Sequence, residues 1–261
     1  MEIVKSKDLL FLFVKRDFIS IYKQTILGPL WFFIQPILTT LIFTVVFGKI
    51  AGISTDGLPK ILFYLSGITF WNYFSECLTK TSNTFIENQN IFGKVYFPRL
   101  ILPISIVCSS LLKFGIQFLL FLVIWIYYMG HYKYNIEPNS YILLFPFLII
   151  LTGLLSLSIG IIITSITTKY RDFRFLIQFG IQLWMYATPI IYPLSSLSGN
   201  LKNMAMINPM TSIIETFKFS FLGEGIFSWF HVGYTALFTL ITLIFGIVLF
   251  NKTEQNFMDT V

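Results

Sequence analysis

Charged residues are what this sequence has least of. Asp, Glu, Lys and Arg make up only 11% of its 261 residues, while hydrophobic types make up 56%, and the mean hydropathy is +0.78. An average soluble domain is about 25% charged, so the composition excludes a soluble enzyme and a disordered chain. Two cysteines, Cys77 and Cys108, are too few for a disulfide framework. Both lie in apolar runs, which predicts buried thiols.

Groups that carry chemistry are scarce as well. There are only two histidines, and no Cys or carboxylate cluster has the spacing of a metal site. Glu76 is the only acid inside a predicted membrane span, so a paired proton relay is absent. No phosphate-binding loop is present, because Gly93-Lys94 has Asn88 where that motif needs its first glycine. We therefore expect no cofactor in this chain, and we disfavour an intramembrane enzyme and an ion-coupled carrier.

Long stretches with little or no charge predict membrane-spanning helices. A bilayer core about 30 Å thick needs about 20 helical residues. Six stretches qualify, although Glu76 and Lys113 interrupt the second and the third. The spans are 24–48, 61–75 (reaching Thr79 if Glu76 is tolerated), 100–130, 138–168, 175–201 and 225–251. The sequence thus predicts an all-α integral membrane protein, with one domain over 1–261.

The basic residues predict the orientation. The net charge of +6 would suggest nucleic acid as the partner of a soluble protein, but here Lys and Arg cluster in loops between apolar runs. With the N-terminus inside, twelve of them fall on the cytoplasmic side and five outside, as the positive-inside rule requires. We expect both termini in the cytoplasm and no nucleic acid partner.

The first 23 residues predict an interfacial amphipathic helix lying on the membrane, with an irregular tail as the alternative. They carry several charges and no cleavable apolar core, which disfavours a signal peptide. The predicted apolar arc consists of Leu10, Phe11, Val14, Phe18, Ile21 and Tyr22, while Leu12, Phe13 and Ile19 lie off it.

Two connections between spans are long. The loop 80–99 begins polar and can form a short helix outside the membrane. The segment 194–224 is external and semi-apolar, with Pro209 and Gly223 as breaks. We predict that it forms a re-entrant helical hairpin between spans five and six, because backbone at that depth needs protein or a cavity around it.

Four segments carry a family resemblance. They are Tyr22 to Trp31 with Gln35-Pro36; Asn90 to Pro103, containing Phe97-Pro98-Arg99; Tyr170-Arg171-Asp172 with Thr188-Pro189 and Tyr192; and Asn208-Pro209 with Glu215 and Lys218. In this order they resemble the permease subunit of ABC-2 type exporters, in the branch that exports O-antigen, capsular polysaccharide or teichoic acid. The chain departs from the family pattern at Thr25, where serine is usual, and at Lys218, where relatives often have arginine.

The resemblance implies a half-transporter in the cytoplasmic (inner) membrane. Two copies would form a central channel, and each would dock on a separate ATP-binding subunit that holds ATP and Mg. The substrate would be a lipid-linked polysaccharide, and this chain would do no covalent chemistry. The external segment would act as a gate, with Asn208, Pro209, Ile213 and Phe217 as the candidate residues.

Residues 83–92 resemble the coupling helix of that family, which would fit a groove on the ATPase. Aromatic anchors usually dominate such an interface. We expect Phe85, Ile86 and Phe92 to be the anchors, and Glu87 and Lys94 their polar partners. The full set of candidate coupling residues is Asn83, Phe85, Ile86, Glu87, Phe92, Lys94, Tyr170, Arg171 and Asp172.

Two cytoplasmic turns keep more than one interpretation. The turn Tyr170-Arg171-Asp172 has three interpretations. It contacts the ATPase, it packs against Arg16 or Asp17 and fixes the chain there, or it only contributes to the positive charge of the cytoplasmic side. Leu27-Gly28-Pro29 predicts a sharp break before span one. That break is either a plain bend or part of the channel mouth.

Aromatic residues make up 18% of the chain, and most are expected in interfacial belts. A subset facing the channel would suit a sugar polymer, whose C–H faces stack on flat rings without being trapped. Polar residues in spans usually face protein or water, although ordinary packing remains the alternative for every position. The channel-lining candidates are Trp31, Phe32, Gln35, Phe43, Phe47, Tyr64, Phe70, Trp71, Asn72, Gln178, Gln182, Trp184, Tyr186 and Tyr192.

Some alternatives stay open at this point. Lys113 either snorkels towards the cytoplasm or pairs with Glu76. An ABC-2 permease for a small lipid or drug would have a narrow pore with few aromatics. An integral-membrane glycan-processing enzyme would need a titratable cluster at one membrane depth.

Overall fold

The computed structural model describes residues 7–22, 28–88, 97–130, 136–167 and 172–257, and all regular structure within them is helical. In chain order the α-helices are α1 Lys7–Tyr22, α2 Trp31–Phe43, α3 Lys60–Ser82, α4 Thr84–Glu87, α5 Ile101–Met129, α6 Phe145–Thr167, α7 Phe173–Tyr186, α8 Gly199–Ile207, α9 Pro209–Leu222 and α10 Trp229–Phe257. The 3-10 turns Gly28–Leu30 and Ser140–Leu144 lead into α2 and α6, and a π-helical stretch, Thr44–Ile50, extends α2. The all-α prediction is confirmed for these residues.

Within the residues that the structure describes, four helical stretches are long and apolar enough to cross a membrane. They are Trp31–Ile50, Ile101–Met129, Ser140–Thr167 and Trp229–Thr253, and they overlap the predicted spans one, three, four and six. The second predicted span lies within α3, which is 23 residues long but carries Asn72, Glu76 and Lys80.

The fifth predicted span, 175–201, is wrong as one continuous helix. Helix α7 is 14 residues long and ends at Tyr186. Pro189 and Pro193 follow, and proline cannot continue a helix because it lacks the N–H and clashes with the preceding turn. The structure therefore ends the helix before these prolines.

Helix α3 is the centre of the bundle, with α2, α5 and α6 packed around it. Two glycines of α6 allow the closest approach. A Cβ at Gly153 would lie 2.6 Å from the Tyr73 hydroxyl, and one at Gly160 would lie 2.6 Å from Thr81 Cβ. Small residues at helix crossings are how membrane helices gain packing without a hydrophobic driving force.

Helix α1 forms within the predicted segment and packs against α5, but its buried face only partly matches the predicted arc. Phe13 is buried, its ring centroid 5.6 Å from that of Phe97, whereas Phe11 is 67% exposed. Phe13, predicted off the apolar arc, therefore anchors α1 to the bundle together with Leu9 and with Leu10 of that arc, which are half-buried.

Helices α8 and α9 form a hairpin inside the predicted segment 194–224. The two predicted breaks are confirmed: Pro209 is the first residue of α9, and Gly223 follows its last residue with a left-handed φ of +77°. Helix α9 is almost completely buried, and α8 exposes Leu201, Met204 and Ile207. Whether the hairpin re-enters the membrane stays a prediction.

Candidate transport site

The side chain of Asn208 joins the hairpin to the end of α7. Its Oδ1 accepts hydrogen bonds from the Met210 backbone N–H at 3.0 Å and from Trp184 Nε1 at 3.0 Å. Its Nδ2 donates to Thr188 Oγ1 at 2.8 Å. An asparagine before proline suits this position, because its oxygen satisfies an orphan N–H at a helix start and proline fits the first helical residue. One side chain thereby fixes α9 against α7.

A buried charged pair fixes the same hairpin at a second point. Lys218 Nζ donates to the Pro189 carbonyl at 2.7 Å and lies 3.5 Å from Glu215 Oε1, with both side chains at most 3% exposed. Glu215 Oε2 accepts from the Ile226 N–H at 3.1 Å, and the ammonium lies 3.8 Å from the centroid of the Phe63 ring. The motif residues of two distant segments, Thr188-Pro189 and Asn208 to Lys218, therefore form one network.

The other two gate candidates do not face a channel in the single chain. Ile213 and Phe217 are completely buried. The Phe217 ring lies 4.7 Å from Phe70 and 5.1 Å from Phe121, within an aromatic cluster between α3, α5 and α9. Both side chains therefore pack in the core of the single chain, and the role of the external segment as a gate stays a prediction.

Lys113 pairs with Glu76, which resolves the alternative left open by the sequence. Glu76 Oε2 lies 2.7 Å from Lys113 Nζ, and its Oε1 lies 2.8 Å from Lys80 Nζ. Nearby, Asn72 Nδ2 donates to Gln117 Oε1 at 3.2 Å. Sequence reasoning missed Ser75 and Thr79, which lie beside Glu76 on the same face of α3.

The predicted coupling helix is visible as one turn, α4, and one of its anchors points inwards. Phe85 is completely buried and stacks on Phe250 of α10, with ring centroids 4.7 Å apart. Because the Phe85 ring is covered by its own chain, it cannot insert into a groove on a partner. We therefore correct Phe85 from a contact anchor to a packing residue. Asn83 is also buried, while Ile86 is half-buried.

The exposed part of this segment is charged. Glu87 lies 3.7 Å from Arg174 of α7, and both side chains are about half exposed. Burial raises the pKa of the Glu87 carboxyl, and the nearby Arg174 and Lys80 oppose that effect. Sequence reasoning missed Arg174, although it stands close to the predicted contact residue Asp172, which is exposed.

Several predicted site residues lie outside the described part of the chain. They are Leu27, Phe92, Lys94, Tyr170 and Arg171. In the predicted turn before span one, Gly28 is buried with φ +44°, which a side chain would disfavour, and Pro29 continues the 3-10 turn. The described part of the turn, from Gly28 on, agrees with the predicted break, and its place at a channel mouth stays a prediction.

The channel-lining candidates divide by exposure. Those exposed on the single chain are Trp31, Gln35, Gln178, Gln182 and Tyr186; those half-buried are Phe47, Asn72, Trp184 and Tyr192; those buried are Phe32, Phe43, Tyr64, Phe70 and Trp71. The buried set, two residues of α2 and three of α3, packs within the single chain, and its place in a channel wall stays a prediction. Among the residues described, no three His, Cys, Asp or Glu side chains meet as metal ligands would.

Long apolar helices around a polar central helix define a membrane protein with several spans. The sequence from residue 8 to 222 matches the family described as ABC-2 type transporter. The chain belongs to this family, which confirms the resemblance drawn from its motifs.

Its relatives include permeases of polysaccharide exporters. The chain is similar to the O-antigen export system permease protein RfbA of Klebsiella pneumoniae, with 26% identity over 97% of this chain and 94% of the relative. The RfbA of Myxococcus xanthus is 26% identical over 83% of this chain and 81% of the relative. The polysialic acid transport protein KpsM of Escherichia coli is 24% identical over 90% and 89% of the two chains.

Proposed function

We propose that this chain is the channel-forming permease subunit of an ATP-driven exporter that moves lipid-linked, O-antigen-like polysaccharide across the cytoplasmic membrane. Two copies form the channel. Six spans in each copy are the four long apolar helices, α3, and a fifth span in which α7 is followed by the non-helical chain up to Pro193. Separate ATP-binding subunits dock on the cytoplasmic side, where both termini lie, and hold ATP and Mg. The match of nearly the full chain to O-antigen export permeases supports this substrate class.

The observation that carries the channel role is a row of exposed polar side chains on α7, which lies beside the exposed rings of Phe175 and Phe179. Gln178, Gln182 and Tyr186 follow one another at intervals of four residues, so they lie on one face of the helix, and all three are exposed. Polar side chains in a span are costly against lipid and usually face protein or water. A second copy of the chain would turn this face, with Trp31 and Gln35 of α2, towards a water-filled path.

A cell that makes the polymer offers a direct test. Deleting the gene for this chain should leave the lipid-linked polymer inside the cell, and restoring it should return the polymer to the surface. Surface labelling with a lectin, with and without permeabilisation, measures both pools. Polymer that reaches the surface equally well without the chain would overturn the proposal.

The channel wall has its own test in the same cells. Cysteine at Gln178 should cross-link to its copy in a second chain, because the two α7 helices face each other across the channel. Cysteine at Leu240, exposed on α10, is the matched control and should remain monomeric. Cross-linking at Leu240 and none at Gln178 would contradict this arrangement.

A further inference from the structure

A polar stripe on α3 faces a cavity of about 340 Å³. Its members are Asn72, Ser75, Glu76, Thr79 and Lys80, at the i, i+3, i+4, i+7, i+8 spacing of one helical face. Gln35 of α2 and Lys113 of α5 complete the lining. This volume leaves room for a small polar group and its hydration.

The cavity has more positive than negative charge. Both carboxylate oxygens of Glu76 are already paired, one with Lys113 at 2.7 Å and one with Lys80 at 2.8 Å. Among the lining residues that the structure describes, Glu76 is the one acid against two lysines. One ammonium charge therefore remains unbalanced, and each ammonium has further N–H donors to offer.

Lys113 holds its charge in an apolar helix. It lies twelve residues into α5, or about 18 Å along the axis at 1.5 Å per residue, and its side chain is 20% exposed. The ammonium lies 5.3 Å from the Phe32 ring centroid, a contact that holds the side chain towards the cavity. An ionisable residue kept at such depth usually serves a function, because its burial is costly.

The other lining groups suit an oxygen-rich anion. Ser75 and Thr79 carry hydroxyls, Gln35 and Asn72 carry amide N–H groups, and the lysines supply charge-assisted donors. Lys80 is 38% exposed and Gln35 is exposed, so the donors can be reached from outside the chain. The cavity lies near the end of α3 that continues into α4.

We propose that this cavity binds the phosphate group of a membrane lipid. The phosphate neutralises the unbalanced ammonium charge and accepts hydrogen bonds from the lysines and hydroxyls. With α4 on the cytoplasmic side, the lipid comes from the inner leaflet. Two lipids carry such a phosphate: an anionic phospholipid, and the phosphate-linked carrier of the exported polymer. Binding of the polymer carrier rests on the proposed function, whereas binding of a phospholipid does not.

A charge series separates anion binding from a structural role. Lys113→Gln brings the cavity to zero net charge and should weaken lipid binding about tenfold, as expected for losing a charge-assisted hydrogen bond. Glu76→Gln raises the positive charge and should bind at least as tightly as the unaltered chain. The double variant with both changes restores the original net charge and should bind within about threefold of it. Lys252→Gln, at an exposed lysine of α10, is the matched control.

Binding is measured by native mass spectrometry of the full exporter complex. One arm titrates phosphatidylglycerol, and the other titrates a polyprenyl diphosphate. Phosphatidylcholine is the control lipid, because its choline cation neutralises its phosphate. The proposal is supported if the lipid affinity of the variants rises with the net positive charge of the cavity. The lipid that binds more tightly then identifies the source of the phosphate.

Three outcomes would overturn the proposal. They are no retained lipid in either arm, equal losses in Glu76→Gln and Lys113→Gln, or an equal loss in Lys252→Gln. If Lys113→Gln fails to fold, the double variant and Glu76→Gln still decide the question. Phospholipid binding is measured independently of polymer export, so failure here is distinguishable from failure of the proposed function.

Discussion

Replacing Lys218 with methionine tests the buried network that joins α9 to the end of α7. The substitution keeps most of the side-chain volume and removes the ammonium, which bonds to the Pro189 carbonyl and pairs with Glu215. Because both side chains are almost fully buried, the glutamate charge loses its partner without gaining water. Breaking a buried pair in this way costs about 3–5 kcal/mol, so we expect the free energy of unfolding to fall by about that amount.

The assay is reversible unfolding in mixed micelles, followed by tryptophan fluorescence. Adding Glu215→Gln to Lys218→Met should restore at least half of the lost stability, because the uncompensated charge is removed and the amide oxygen can still accept the Ile226 N–H. Lys202→Met, at a partly exposed lysine of α8, should change little. Equal stability of Lys218→Met and Lys202→Met, or a double variant no more stable than Lys218→Met, would refute the reasoning.

Three further predictions use the same unfolding assay. Gly160→Ala should lower the free energy of unfolding by about 1–3 kcal/mol, because the added methyl group would overlap α3. Gly180→Ala, with open space around the added methyl group, should leave the free energy of unfolding unchanged. Equal effects of the two substitutions would contradict the close helix crossing. Asn208→Ala should lower the free energy of unfolding by about 1–2 kcal/mol, because the helix cap is lost. It should also alter the fluorescence emission of Trp184, whose indole N–H donates to the Asn208 side chain. An unchanged spectrum would contradict that contact. Arg174→Ala removes a half-exposed ion pair and should cost at most about 1 kcal/mol, so a loss above about 2 kcal/mol would show that the pair is buried in the membrane.

The sequence predicted the motif residues of the site but not their partners. Asn208, Pro209, Glu215 and Lys218 were recognisable from their resemblance to the family motif. That Lys218 reaches the Pro189 carbonyl depends on how the chain folds back between α7 and α9. No local pattern encodes a contact across 29 residues.

Side-chain direction in short elements was the main source of error. Helix α4 has a single turn, too short for periodicity to show which side is buried, so Phe85 could be read equally well as an anchor or as core. Its stacking partner, Phe250, lies at the other end of the chain. The polar stripe from Asn72 to Lys80, in contrast, has the spacing of one helical face in the sequence, although the prediction singled out only Asn72 and Glu76.

ATP-dependent uptake of lipid-linked polysaccharide into inverted membrane vesicles tests the central claim most directly. Vesicles that contain this chain and its ATP-binding subunit should protect newly added polymer from an external glycosidase when ATP is present. Vesicles lacking the chain, or given ATP with a catalytically inactive ATP-binding subunit, should protect none. Equal protection without the chain would contradict its role as the channel.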